Sequence, residues 1–303
     1  MNKQLVKIFV VVLLMLYFLP SLVCQEQTVI PIKEINNKSL ISVRFGGFVI
    51  DDLLLDTGFT SDGILIYNPD YKDSIDLSNA VEINLGGAGT GPPQKALMID
   101  STEFTVGGLT LKNQRIIILL SDIYRGFPSN GIIGNSLFGH FITELDYDKG
   151  LMVLHDQENF MAKEGWTPIP IYFKGNNIPW LNAKVVIEDG SPIELSIYID
   201  YGARDNIVLL EKPGMKFSLP KETEDYYIGR GLSGDIYGKK GVISKVIIDQ
   251  FEIESVQASI TSADVRSKQD NADAIFGVGL LRKFNLIFDY AGKMLYIKPN
   301  KNY

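Results

Sequence analysis

Leu53-Leu54-Leu55-Asp56-Thr57-Gly58 and Ile197-Tyr198-Ile199-Asp200-Tyr201-Gly202 are two versions of one phrase: an apolar run, an aspartate, one further residue and a glycine. Such a run, ending in an aspartate with glycine two places on, predicts a strand that carries a carboxylate to the tip of a turn. One such aspartate alone reads as turn chemistry, its side chain bonding nearby amides, because an unpaired carboxylate is costly to bury. Two at matching positions of a repeat read differently, since packing the halves about an approximate twofold axis brings the carboxylates face to face.

The repeat extends outward from these phrases in both directions. Thr28-Val29-Ile30-Pro31-Ile32 opens the first half and Thr167-Pro168-Ile169-Pro170-Ile171 the second. Leu85-Gly86-Gly87-Ala88-Gly89-Thr90-Gly91 is echoed by Ile228-Gly229-Arg230-Gly231-Leu232-Ser233-Gly234. Gly131-Ile132-Ile133-Gly134 with Asp146-Tyr147 is echoed by Ala274-Ile275-Phe276-Gly277 with Asp289-Tyr290. Asp200 follows Asp56 by 144 positions, and Gly234 follows Gly91, Gly277 follows Gly134 and Asp289 follows Asp146 by 143 each. So small a drift marks a duplication. Between the landmarks, short runs of Val, Ile, Leu, Phe, Tyr and Thr are broken by Gly, Asn, Asp and Pro, which predicts an all-β fold with one short helix per half, near 136–140 and 280–283. The expected lobes are 25–158 and 159–303, joined by the polar stretch 157–166.

The chain of 303 residues opens with Lys3 and Lys7, a continuous apolar run from Ile8 to Leu19, then Pro20 and Ser21. This predicts a secretory signal peptide over 1–24, the apolar run being shorter than the roughly 20 residues a membrane span needs. Export to the periplasm, the envelope or the medium is the expectation. Cys24, the only cysteine, stands at the cleavage point, where a lipid anchor is the alternative, although Val23 is bulkier than the residue a lipoprotein leader carries there. The chain beyond it has no cysteine for disulfides, thiol catalysis or metal binding. A hydrophobic content of 46% suits one large or two moderate globular units, and a net charge of -7 with no basic stripe argues against nucleic acid.

Two carboxyl groups that share one site cannot both ionise at ordinary cost, so they hold one proton between them. One can then take a proton from water while the other, protonated, polarises a carbonyl, which hydrolyses a peptide with no metal, cofactor or covalent intermediate. Rival chemistries lack their residues: only His140 and His155 are present, and no serine has a G-x-S-x-G setting. Neither glycine-rich segment ends in the Gly-Lys-Ser or Gly-Lys-Thr of a phosphate loop. Asp146 and Asp289 read as turn residues, both histidines as structural, and Asp62 and Asp205 as solvated or turn-forming.

Leu55-Asp56-Thr57-Gly58, with Ile132-Ile133-Gly134 downstream, resembles the signature of aspartic peptidases of the pepsin and retropepsin type, and looks most like the bacterial retropepsin-like group. The doubled ensemble spans nearly the whole chain after the leader. The resemblance implies a bilobal acid-protease fold of β-barrel lobes with Asp56 and Asp200 as catalytic dyad, and Thr57, Gly58, Tyr201 and Gly202 supporting the two loops. It implies substrate-binding flaps at Gly87, Gly89, Thr90 and Gly91 and at Gly231, Ser233 and Gly234, closing over a peptide or protein substrate in extended conformation. Tyr201 departs from the family, which has Thr or Ser there, so Thr57 is expected to lack a symmetric partner beneath the dyad. A peptide-binding relative without turnover, and an envelope protein in which the duplication serves assembly, are the alternative expectations.

Overall fold

A strand turns alternate side chains to opposite faces, so a strand buried on both sides reads as an unbroken apolar run. Strand Leu109–Leu119 ends in such a run: Ile116 and Ile118 enter a core with Leu53, Leu55 and Ile64, while Ile117 and Leu119 pack on the other face with Leu54, Leu65 and Ile132. The second half repeats this division, with Ile199, Ile207 and Leu209 on one side and Tyr198, Val208 and Leu210 on the other. The computed structural model describes residues 27–158, 160–266 and 271–303; the leader and Cys24 lie outside them.

Each half closes six strands into a ring. In the first, Lys38–Phe45, Phe48–Leu55, Gly131–Ile133, Gly63–Ile66, Leu109–Leu119 and Gln94–Val106 are bonded in that order, and the last returns to the first where Thr105 faces Arg44. In the second, the order is Trp180–Val186, Ile193–Asp200, Ala274–Gly277, Ile207–Glu211, Phe251–Ser262 and Gly234–Ile248, closed by Val185 facing Val246. The rings fall within the two expected lobes.

A third sheet joins them, taking Gln27–Pro31, Leu151–His155 and Ile142–Asp146 from the first half and Phe284–Asp289, Met294–Pro299 and Thr167–Pro170 from the second. At its centre Thr143 faces Phe288, Glu144 faces Ile287 and Leu145 faces Leu286. Because Asp289 follows Asp146 by 143, this register maps onto itself when the halves are exchanged, and the pseudo-twofold axis passes through the Glu144–Ile287 pair. Asp146 and Asp289 end the paired strands and accept turn amides, from Lys149 at 3.0 Å and Gly292 at 2.7 Å.

Beyond the expected one helix per half, the first half adds a 3-10 helix, Pro69–Ser74, and the second the helix Ala263–Arg266; the two expected helices are Asn135–Phe138 and Val278–Leu281, beginning one or two residues before the sequence-based positions. The reason is tertiary: the Asn135 amide donates to the Phe59 carbonyl and that of Val278 to Ala203, so each helix starts as soon as its strand has passed beneath an aspartate loop. Gly134 and Gly277 permit that passage. A Cβ on Gly134 would stand 2.2 Å from the Asp56 carbonyl oxygen, and one on Gly277 2.3 Å from that of Asp205. Neither glycine has positive φ, so close approach, rather than backbone conformation, requires the residue. Gly134→Ala should destabilise the protein by about 1–3 kcal/mol, seen as a lower urea midpoint with an unchanged slope.

Candidate active site

Asp56 and Asp200 cap equivalent strands, Phe48–Leu55 and Ile193–Asp200, whose apolar residues anchor both loops in the core. The loops meet across the pseudo-twofold. A Cβ on Gly202 would stand 2.7 Å from the Asp56 carboxyl carbon, and one on Gly58 3.7 Å from Asp200 Oδ1. Each carboxyl therefore lies against the glycine of the opposite loop, and a side chain at Gly202 would displace Asp56.

Hydrogen bonding distinguishes the two acids. Asp56 Oδ1 accepts from the Gly58 amide at 2.7 Å. Asp200 Oδ1 accepts from the Ala203 amide at 3.1 Å, and Asp200 Oδ2 from Arg266 Nη2 at 3.0 Å. Burial, then the neighbouring Asp200 charge, push Asp56 from 3.8 up to about 7, against the opposing pull of the Gly58 amide, Lys38 and Arg266. Asp200 is ion-paired to the Arg266 guanidinium, whereas burial and the neighbouring charge favour the protonated form of Asp56.

Beneath the dyad, buried Thr57 still bridges the loops without a symmetric partner. Its hydroxyl donates to the Ile199 carbonyl at 2.8 Å and accepts from the Tyr201 amide at 3.0 Å. Tyr201 does not compete for that space. Its ring is fully buried beside Phe138 and Phe288, and its hydroxyl reaches Ser39 at 3.1 Å and Tyr147. Ser39 commits its single proton to Glu34 at 2.6 Å, so Tyr201 donates to Ser39 and accepts from Tyr147. Where Thr57 ties loop to loop, Tyr201 ties its loop to the body of the opposite lobe.

The glycine-rich segments form hairpin tips that meet over the dyad: Val81–Leu85 with Gln94–Val106 in the first half, Thr223–Gly231 with Gly234–Ile248 in the second. The Gly91 amide donates to the Ser233 carbonyl at 2.6 Å, and that of Ser233 to the Ala88 carbonyl at 2.9 Å. Gly87 and Gly231 face the cleft, whereas Gly89, Gly91, Ser233 and Gly234 build the junction above it and Thr90 is exposed. The Gly89 amide also donates to the carbonyl of Val265.

Under this roof lies a cleft of about 1120 Å³, to which both halves bring apolar and polar side chains, Asn36, Asn37 and Lys38 from the first and Ile228, Leu232 and Ile236 from the second. The first lobe supplies Leu54, Leu65, Ile132 and the stacked rings of Tyr67 and Tyr124, centroids 4.2 Å apart. The second supplies Arg204, Asp205, Asn206, Tyr226, Ser259 and Arg266. Asp62 and Asp205 are not simply solvated: Asp62 accepts from Asn135 and contacts His140, and Asp205 accepts from Ser259. His155 pairs with Glu144 at 2.8 Å, away from the cleft lining.

Sequence reasoning missed Lys38 and Arg266. Lys38 Nζ donates to the Gly202 carbonyl at 3.0 Å, and burial pulls its pKa down against the opposing charges of Asp56 and Asp200. Ala258 pairs with Ile207 as Ile116 pairs with Ile64, so Arg266, eight residues beyond Ala258, stands where the first half has Tyr124, a ring of the cleft wall. That break in the duplication is the signal that could have revealed it.

Two measurements probe this geometry. Because the folded state keeps the Asp56 proton up to about 7 and the unfolded chain releases it near 4, the stability that Asp56 contributes is full below about pH 4 and is lost as pH rises towards about 7. Asp56→Asn should remove that fall from urea midpoints taken across the window. Tyr201→Phe should cost about 1 kcal/mol through its lost hydrogen bonds, and Tyr201→Ala about 3–5 kcal/mol through the cavity added, both read by urea unfolding.

The chain matches no family model and no curated protein with which it was compared.

Proposed function

We propose that this chain is an aspartic endopeptidase with the bilobal acid-protease fold, its two rings being the lobes and the shared sheet the floor between them. The observation that carries the reading is the meeting of Asp56 and Asp200 at duplicate-equivalent loop tips, with Asp200 ion-paired and Asp56 desolvated by burial, at the base of a roofed cleft. Ionised Asp200 is the base that takes a proton from water; protonated Asp56 donates to the carbonyl oxygen as the tetrahedral centre forms. Thr57 holds the two loops at one separation while the proton changes sides.

An extended peptide lies between the walls, with alternate side chains in pockets on either side and its backbone on the flap edges. Val81–Leu85 and Thr223–Gly231 suit that role because each ends its sheet and has one edge unpaired within it. The interlocked tips must part to admit substrate and close again to exclude water. The leader, outside the described residues, makes an exported location part of this proposal.

One observation favours a second reading, a relative that binds peptide without cleaving it: Arg266 occupies the Asp200 oxygen that would otherwise face a water. A peptide library incubated with the chain lacking its leader, at pH 4 to about 8, separates the two. The peptidase reading expects cleavage that falls as pH rises through about 7, where Asp56 loses its proton, and a loss of about 10²-fold or more in Asp56→Asn and Asp200→Asn. Binding with no cleavage by folded protein at any pH would favour the second reading.

A further inference from the structure

Arg266 takes no part in the proton transfers above, yet it holds the base. It ends the short helix Ala263–Arg266, and it and Asp200 expose only 13% and 15% of their side chains. Ala203 donates to Oδ1 and Arg266 to Oδ2; each oxygen keeps a further acceptor site, but the guanidinium lies against the carboxylate charge that a water proton must meet. The Arg266 Nε is buried and has no hydrogen-bond partner among the described residues. A buried guanidinium deprived of its carboxylate is left as an uncompensated charge, so it leaves Asp200 readily only for another anion.

The surroundings favour an anion too. Lys38 and Arg204 face the same cleft, Lys38 bonded to the Gly202 carbonyl and Arg204 to the Tyr227 carbonyl and the Tyr226 hydroxyl. Arg230 also lines the cleft but is paired with Asp235. In a chain of net charge -7, the described lining of the cleft carries Lys38, Arg204, Arg230 and Arg266 against Asp56, Asp200 and Asp205. Tyr67, Tyr124, Leu65 and Ile132 on the first-half side hold a neutral side chain equally well, so what distinguishes the substrate lies near Arg266.

We propose that the cleft selects peptides carrying a carboxylate close to the scissile bond, and that this carboxylate draws the Arg266 guanidinium off Asp200 and frees the base. Arg266 is thus a specificity-determining residue, and substrate binding itself unlocks the site. The inference rests on the peptidase reading. An acidic side chain and a free C-terminus supply the same chemistry.

The test uses four matched peptides, with Glu or Gln beside the cleaved bond and the C-terminus free or amidated. They are given to the wild-type protein and to Arg266→Gln and Arg266→Lys. The wild type should favour Glu over Gln by about tenfold or more in kcat/KM, Arg266→Gln should erase the preference by slowing Glu and sparing or speeding Gln, and Arg266→Lys should keep part of it. A preference that follows the free terminus instead assigns the recognised carboxylate to the chain end. Equal treatment of all four peptides by the wild type would overturn the proposal, as would Arg266→Gln changing all four alike, the mark of a general block. If Arg266→Gln does not fold, the wild type and Arg266→Lys decide. Binding of the same peptides to Asp56→Asn, followed by anisotropy, separates the two readings. Tighter binding of carboxylate peptides with no cleavage by wild type sinks the peptidase reading and keeps carboxylate recognition; binding indifferent to the carboxylate sinks the recognition.

Discussion

Asp56 and Asp200 lie against each other's loop glycines in a cleft that draws water away from both, and there two negative charges cannot stand together at ordinary cost. Much of the neighbouring structure answers that constraint. The glycines at 58 and 202 allow the approach, Thr57 fixes the spacing, and Arg266 sets which acid keeps the charge. The proton is left on Asp56. In a dyad with matched surroundings it would be shared without preference; here Asp200 has the guanidinium and Asp56 does not, which favours the proton on Asp56.

Symmetry is kept where packing needs it and broken where chemistry uses it. The central pairing of Ile142–Asp146 with Phe284–Asp289 is symmetric to the residue, and the glycines at 134 and 277 solve the same crowding problem in both halves. Around the dyad the halves part company. Thr57 matches Tyr201, and by the strand register Arg266 stands in the place of Tyr124. Tyr201 shows how such a break is accommodated: the large ring fills space beside Phe138 and Phe288, and its hydroxyl joins a buried chain through Ser39 to Glu34. Burial holds the Tyr201 and Tyr147 hydroxyls protonated, so the chain bonds without adding charge beneath the dyad.

The flaps and the base are mechanically connected. Gly89, at the first tip, bonds the helix that carries Arg266, and the tips bond each other through Ala88, Gly91 and Ser233. Parting the tips therefore disturbs the segment that holds the guanidinium on Asp200. In the proposed peptidase, admission of substrate and release of the base would share this one element.

How much of this was legible in the sequence follows from the range of the interactions involved. Strand content, the duplication, the pairing of Asp56 with Asp200 and the two glycine-rich tips are written in local patterns: alternation, turn residues and a constant offset between copies. The helix starts were displaced because the Asn135 and Val278 amides find partners on distant loops, which local signals do not encode. The direction of Tyr201 depends on whether the opposite lobe offers a polar end to its ring, and Ser39 and Tyr147 are remote in the chain. Sequence alone determined two carboxylates on two equivalent turns. Only the tertiary structure decided that Lys38 and Arg266 join them, because a cation's role is set by the charges brought within hydrogen-bonding distance, and it is folding that sets those distances.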